Sequence, residues 1–162
     1  MINTVAFLVE NKPGVLFNVS NLFRRRGYNI QGISVGPTLD TDLSRMTITV
    51  EAEGRELNQI VEQLDKMVDV VKVKRLDSIR TVEREMTLVK MRAGDPMARE
   101  EALNYINRFH GLILDIETDT IIAEVTGAPE EIDDFLGKVR PIGIIEMSRT
   151  GATALERGRL RL

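Results

Sequence analysis

Two kinds of apolar spacing alternate along this chain of 162 residues, and their order constrains the fold more than any single motif does. In the first half, alternating or β-branched apolar runs predict strands over 4–9, 29–35, 45–51 and 68–76. Helical spacing predicts one helix after the first run, ended by Gly27, and another before the fourth run, with Leu57, Ile60, Val61 and Leu64 inward. The first half is therefore predicted to be β-α-β-β-α-β.

The same element order recurs at an offset of about 80 residues. Strands are predicted over 85–91, 112–117, 120–126 and 142–147, with helices that begin at Asp95-Pro96 and Pro129. The repeat predicts an α+β fold of two ferredoxin-like βαββαβ domains, each an antiparallel sheet with two helices on one face. Their predicted bounds are 1–78 and 82–162.

The composition argues against several classes of function. The chain has 22 Lys and Arg against 25 Asp and Glu, and this slightly acidic balance argues against a nucleic-acid partner. It contains no cysteine, which excludes disulfides and thiolate metal sites and fits a cytoplasmic protein. No apolar run approaches the roughly 20 residues that a membrane-spanning helix needs. We therefore expect a cytoplasmic protein with no nucleic-acid or membrane partner.

The turn between the first strand and the first helix, Asn11-Lys12-Pro13-Gly14-Val15-Leu16, is the strongest candidate binding site. The N–H groups at a helix start lack intrahelical partners and, with the helix dipole, favour a carboxylate. Gly14 allows close approach to the backbone, and Asn11 offers an amide. The alternative is an ordinary turn in which Asn11 caps the helix. The local sequence alone favours this alternative.

Other charged residues fit structural roles better than catalytic ones. The arginines at 24–26 complement the negative end of the first helix dipole. His110, the only histidine, follows a helix end and is better explained as a surface residue than as a metal ligand or general base. We therefore predict no catalytic residue and no metal ligand. A basic tail is predicted to contact a partner or to fray, and its arginines are Arg149, Arg157, Arg159 and Arg161.

The predicted sheets have unpaired edges and one uncovered face, which favour pairing with another copy of the chain. The apolar residues that fit such an association are Ile30, Ile33, Val35, Ile48 and Val50. A homodimer or a larger homo-oligomer is expected.

Several segments together resemble the family of small, regulatory subunits of acetolactate synthase, also called acetohydroxyacid synthase. The N-terminal segments are similar to the ACT domain of that family, and the later ones to its second domain. The resemblance covers nearly the whole chain. The matching segments are 9–16, 22–30, 32–35, 44–48, 84–90 and 148–151.

The resemblance implies a non-catalytic regulator of branched-chain amino acid biosynthesis, the pathway to valine, isoleucine and leucine. Such a subunit binds the catalytic large subunit, activates it and confers feedback inhibition by valine. Thiamine diphosphate, magnesium and FAD belong to the large subunit, a transferase. In the family, valine lies between the ACT domains of two protomers. The effector-binding residues that this implies are Asn11, Gly14, Val15, Leu16, Asn29 and Ile30.

Two other functions stay open at this point. A free-standing ACT-type amino-acid sensor could regulate another enzyme, and a small enzyme could use the same scaffold. Residues 82–162 have Ala93-Gly94-Asp95-Pro96 where the first half has Asn-x-Pro-Gly, so a role in assembly or coupling is expected for them.

Overall fold

The computed structural model describes residues 2–162, which form two compact units. The first unit contains the described residues up to Val82 together with Gly151–Leu162, and the second contains Glu83–Thr150. This division differs from the predicted domain 82–162, because residues at the C-terminal end pack against the first sheet. Among the described residues, no helix is both long and apolar enough to cross a membrane.

The first unit is an antiparallel sheet with the strand order β2-β3-β1-β4 and two helices. Alternation along β1 sends Val5, Phe7 and Val9 into the core between the sheet and the helices. The α1 helix ends at Gly27, which adopts the left-handed conformation that glycine favours. The elements are β1 (Ile2–Glu10), α1 (Val15–Arg26), β2 (Ile30–Pro37), β3 (Leu43–Glu51), α2 (Gly54–Asp65) and β4 (Val70–Leu76).

The second unit repeats this arrangement with the strand order β6-β7-β5-β8, so the predicted fold class is confirmed. Its core joins Val89 and Met91 of the central strand to Ile106 and Phe135 of the helices. The strand β5 begins in the first unit and continues in the second. The elements are β5 (Thr81–Arg92), α3 (Pro96–Arg108), β6 (Leu112–Ile116), β7 (Thr120–Gly127), α4 (Pro129–Gly143) and β8 (Ile144–Arg149).

The last predicted strand, 142–147, begins later than the sequence indicated. The helix α4 continues past Pro141 to Gly143, so β8 starts at Ile144. Pro141 has no N–H group to donate to the preceding turn, and the helix ends two residues later.

A segment that we call the C-terminal strap, residues 151–162, covers the face of the first sheet that carries no helix. It contains β9 (Thr153–Glu156), which pairs with β5 and which the sequence analysis did not predict. Ala152 and Ala154 are only 1% and 2% exposed, and Ala154 packs with Ala6 and Leu76. The expectation of a frayed tail was therefore wrong for β9, whereas contact of the tail with a partner stays a prediction.

Polar contacts fasten the C-terminal strap to the same sheet. The Arg45 guanidinium donates a 2.8 Å hydrogen bond to the Ala154 carbonyl, and Lys74 Nζ lies 2.5 Å from the carboxylate of Glu156. Burial lowers the pKa of Arg45, and the Glu156 carboxylate opposes that shift. The Arg157 N–H donates to the Arg80 carbonyl at 2.7 Å. The strap is thus held by both apolar and charged groups.

Ending the chain after Thr150 is predicted to destabilise the first unit, because it uncovers Ala6 and Leu76. Burial of one leucine is worth roughly 1.5–3 kcal/mol, so we expect the free energy of unfolding to fall by roughly 2–4 kcal/mol. Urea unfolding followed by circular dichroism measures this change. The double substitution Arg159→Ala, Arg161→Ala is the control, because both side chains are exposed. Equal stability of the truncated and full chains would contradict the covering role.

Candidate functional site

The turn after β1 takes its shape from Gly14, which precedes the first helical residue. Gly14 has φ 90°, a left-handed conformation that side chains rarely adopt, and a Cβ at this position would meet no atom within 4 Å. No side chain caps the helix that follows. The turn is therefore open in front of the helix start, and glycine is required there for backbone conformation rather than for space.

The first N–H groups of α1 point out of this turn without strong internal partners. The Val15 N–H makes only a long, 3.4 Å hydrogen bond to the Lys12 carbonyl. The N–H groups of Leu16 and Phe17 donate to no acceptor among the described residues, whereas the next one, of Asn18, bonds to the Gly14 carbonyl at 3.0 Å. Together with the helix dipole these donors can bind an anionic group. Sequence reasoning missed Phe17, which a count of the unpaired first-turn N–H groups would have included.

Asn11 does not cap the helix, so the interpretation of this turn as an Asn-capped helix start is wrong. Its backbone N–H donates to the Asp42 carbonyl at 2.7 Å, and its Nδ2 donates to the Thr41 carbonyl at 3.0 Å. Both bonds tie the turn to the loop between β2 and β3. With the NH₂ group engaged, Oδ1 is left as an acceptor with no partner among residues 2–162.

Carboxylates surround the same turn. Lys12 Nζ lies 2.8 Å from Glu10, and this hydrogen bond raises the pKa of Lys12, with smaller contributions from Asp69 and Asp42. The negative charges lie beside N–H donors that favour a carboxylate. This pairing of opposite polarities suits a zwitterion better than a simple anion.

The side chains of the first helical residues differ in how far they are exposed to a ligand. Val15 is 4% exposed and belongs to the core, so only its backbone can reach a ligand. Leu16 and Phe17 are 47% and 70% exposed and form an apolar surface beside the donors. An aliphatic side chain of a ligand can bury area against them.

The other two predicted residues, Asn29 and Ile30, lie at the opposite end of the same sheet. Ile30 pairs with Val50, whereas the turn follows Glu10, which pairs with Leu43. Seven residue steps along β3 separate these ends, a distance of roughly 23 Å. One chain therefore does not bring the six predicted residues together.

In the second unit, side chains of the same chain occupy the turn before α3. The Asp95 carboxylate accepts a 2.9 Å hydrogen bond from the Ala98 N–H and so caps α3. The Arg99 guanidinium fills the neighbouring space by donating to the carbonyls of Ala93, Glu117 and Thr118. An anion is therefore better received in the first unit than in the second.

His110 and Arg149, the other residues that the sequence singled out, contribute to the fold rather than to a site. His110 is exposed at φ 54° just after α3, where it forms part of the helix end. Arg149 lies between Glu85 and Asp133, at 2.6 Å from an oxygen of each. Burial lowers the pKa of Arg149, but the bonds to Asp133 and Glu85 outweigh this effect and raise it. Within residues 2–162, no three His, Asp or Glu side chains are grouped to hold a metal ion.

The architecture and the open turn define the first unit as a domain of the ACT type. A family model described as "AHAS small subunit-like ACT domain" matches residues 5–72. A second model, "Small subunit of acetolactate synthase", matches residues 84–158. The two matches together cover most of both units.

Several related proteins align with this chain over almost its full length. A probable acetolactate synthase small subunit of Methanothermobacter thermautotrophicus is 46% identical over 95% of this chain and 92% of its own. The small subunit of Mycolicibacterium smegmatis is 41% identical over 96% and 91%. The crystal structure of the small subunit from Thermotoga maritima superposes with a TM-score of 0.90, at 37% identity and 99% coverage of both chains. The chain belongs to the acetolactate synthase small subunit family.

Asn11→Ala is predicted to loosen the loop between β2 and β3, because it removes the bond to the Thr41 carbonyl. One hydrogen bond contributes about 1 kcal/mol, so amide hydrogen exchange at Leu43 is expected to rise about fivefold. Asn104→Ala is the matched control, since Asn104 is exposed on α3. Unchanged exchange at Leu43 in Asn11→Ala would mean that this bond does not hold the loop.

Proposed function

We propose that this chain is the regulatory subunit of acetolactate synthase: it binds and activates the catalytic large subunit and confers feedback inhibition by valine. Its membership of the small subunit family supports the partnership. The observation that carries the effector site is the open helix start at Gly14, where the N–H groups of Leu16 and Phe17 have no acceptor among the described residues.

The chemistry of the turn favours an α-amino acid as the effector. The ligand carboxylate binds to the N–H groups of Leu16 and Phe17, and its ammonium group faces the free Oδ1 of Asn11 and the nearby carboxylates. An isopropyl side chain packs on the exposed apolar surface of Leu16.

A homodimer completes the site in this proposal. The strand β2 is an edge strand, and its outer side is available for pairing. Antiparallel pairing of two β2 strands places Ile30 of one copy alongside Pro37 of the other. Pro37 pairs with Ser44, which also pairs with Val9 close to the turn. The Asn29–Ile30 end of one copy thus approaches the turn of the other.

Inhibition follows as a shift between two arrangements of the dimer. Valine contacts both copies, so it favours the arrangement in which the two half-sites are close, and the large subunit is less active when bound to that arrangement. In this proposal the thiamine diphosphate, magnesium and FAD are carried by the large subunit, and the complex works in the cytoplasm.

Gly14→Asp is predicted to give a folded regulator that resists valine, because the new carboxylate lies where the ligand carboxylate binds. Gly14→Asn is the matched control: it has nearly the same shape and the same strained φ but no charge. Activity of the reconstituted enzyme over a range of valine concentrations measures the effect. We expect the half-inhibitory concentration to rise more than about tenfold further for Asp than for Asn. Equal responses of the two variants would refute the assignment of the carboxylate site.

Linkage between the two partners provides an independent test. If valine stabilises a less active arrangement of the complex, calorimetry should give different valine affinities for the chain alone and for its complex with the large subunit. Equal affinities exclude this coupling. If the chain binds valine but forms no complex with the large subunit, a free-standing amino-acid sensor is the correct function.

A further inference from the structure

Gly151, the first residue of the C-terminal strap, lies directly against the backbone of β2. A Cβ built on Gly151 would overlap the carbonyl oxygen of Ile33, and it would lie 2.5 Å from the carbonyl carbon and 2.6 Å from the nitrogen of the same residue. All three are backbone atoms, which cannot move aside as the end of a flexible side chain can. Glycine is required here for close approach.

The part of β2 that Gly151 touches follows an irregularity in the strand. The register of β2 against β3 shifts between Ile30 and Gly32, as in a β-bulge, which re-aims neighbouring side chains. A Cβ at Gly32 would lie 2.8 Å from Thr49 Oγ1 and 3.6 Å from Gly151 Cα. The backbone after the bulge is therefore held between β3 on one side and the strap on the other.

Several contacts hold the strap in place next to Ile33. Ala152 and Ala154 are buried next to it, and the Arg45 guanidinium holds the Ala154 carbonyl. Further along, Lys74 binds Glu156, whose side chain is only 7% exposed. Because these contacts hold the strap, we expect a larger residue at 151 to displace the backbone of β2.

We propose that Gly151 is a positioning residue for the effector half-site on β2: by fixing the backbone at Gly32 and Ile33, it sets the position of Ile30. This inference rests on the proposed function, since it assumes that Ile30 faces the bound amino acid. Gly151 itself touches no ligand, and its influence passes through the strand alone.

The test compares Gly151→Ala with Gly137→Ala in the full-length chain. Gly137 is exposed on α4, outside the proposed effector site, its φ is not left-handed, and a Cβ there meets nothing within 4 Å. Valine affinity is measured by calorimetry, folding by circular dichroism, and activation of the large subunit in the absence of valine. We expect Gly151→Ala to raise the Kd for valine about tenfold or more while it retains most of the activation. Gly137→Ala should match the wild type in its Kd for valine.

The outcomes separate the inference from the proposed function. If the wild-type chain binds no valine, the proposed function fails. If the wild type binds valine and a folded Gly151→Ala binds it equally well, the positioning role is overturned. A parallel loss of activation and affinity indicates a merely structural role and also overturns it.

If Gly151→Ala does not fold, a second variant tests the positioning role. Glu156→Gln weakens the other end of the strap, because it removes the charge that Lys74 binds. We expect it to fold and to raise the Kd for valine about threefold. An unchanged Kd in folded Glu156→Gln overturns the proposal.

Discussion

The pairing of β3 with both of its neighbours determines where each functional element of the first unit lies. Because Leu43 pairs with Glu10 and Val50 pairs with Ile30, the open turn and the start of β2 are kept at opposite ends of one sheet. A one-residue slip would turn the apolar set of β3, Met46, Ile48 and Val50, away from the helices, so the register is strongly fixed. The use of two copies in the site that we propose follows from this separation.

The two units differ in how they treat the first N–H groups of a helix, which have no acceptor within the helix itself. In the second unit, Asp95 supplies a carboxylate from within the chain, and α3 needs no external anion. In the first, Gly14 has no side chain, and the N–H groups of Leu16 and Phe17 have no acceptor among the described residues. The duplicated fold thus contains one helix start without a side-chain cap and one that its own carboxylate caps. The change from Asp to Gly at the helix start is the residue-level difference between them.

Local patterns were enough to predict the fold class, because apolar periodicity and helix-ending glycines such as Gly27 are properties of short segments. The C-terminal strap could not be predicted this way, since Ala154 is buried against Ala6 and Leu76, which lie more than 70 residues away in sequence. At the turn, the sequence placed Gly14 correctly before the helix but left the role of Asn11 open. Its bond to the Thr41 carbonyl depends on a loop 30 residues further along.

The strap also makes the second unit an insertion within the first. The Thr150 N–H donates to the Met86 carbonyl at 3.0 Å, so the two ends of the inserted segment lie side by side. The first unit is therefore built from two segments that lie far apart in the sequence. Its open face is covered only when residues 151–162 pack against Ala6 and Leu76. The final structure of the first unit thus depends on both segments being present.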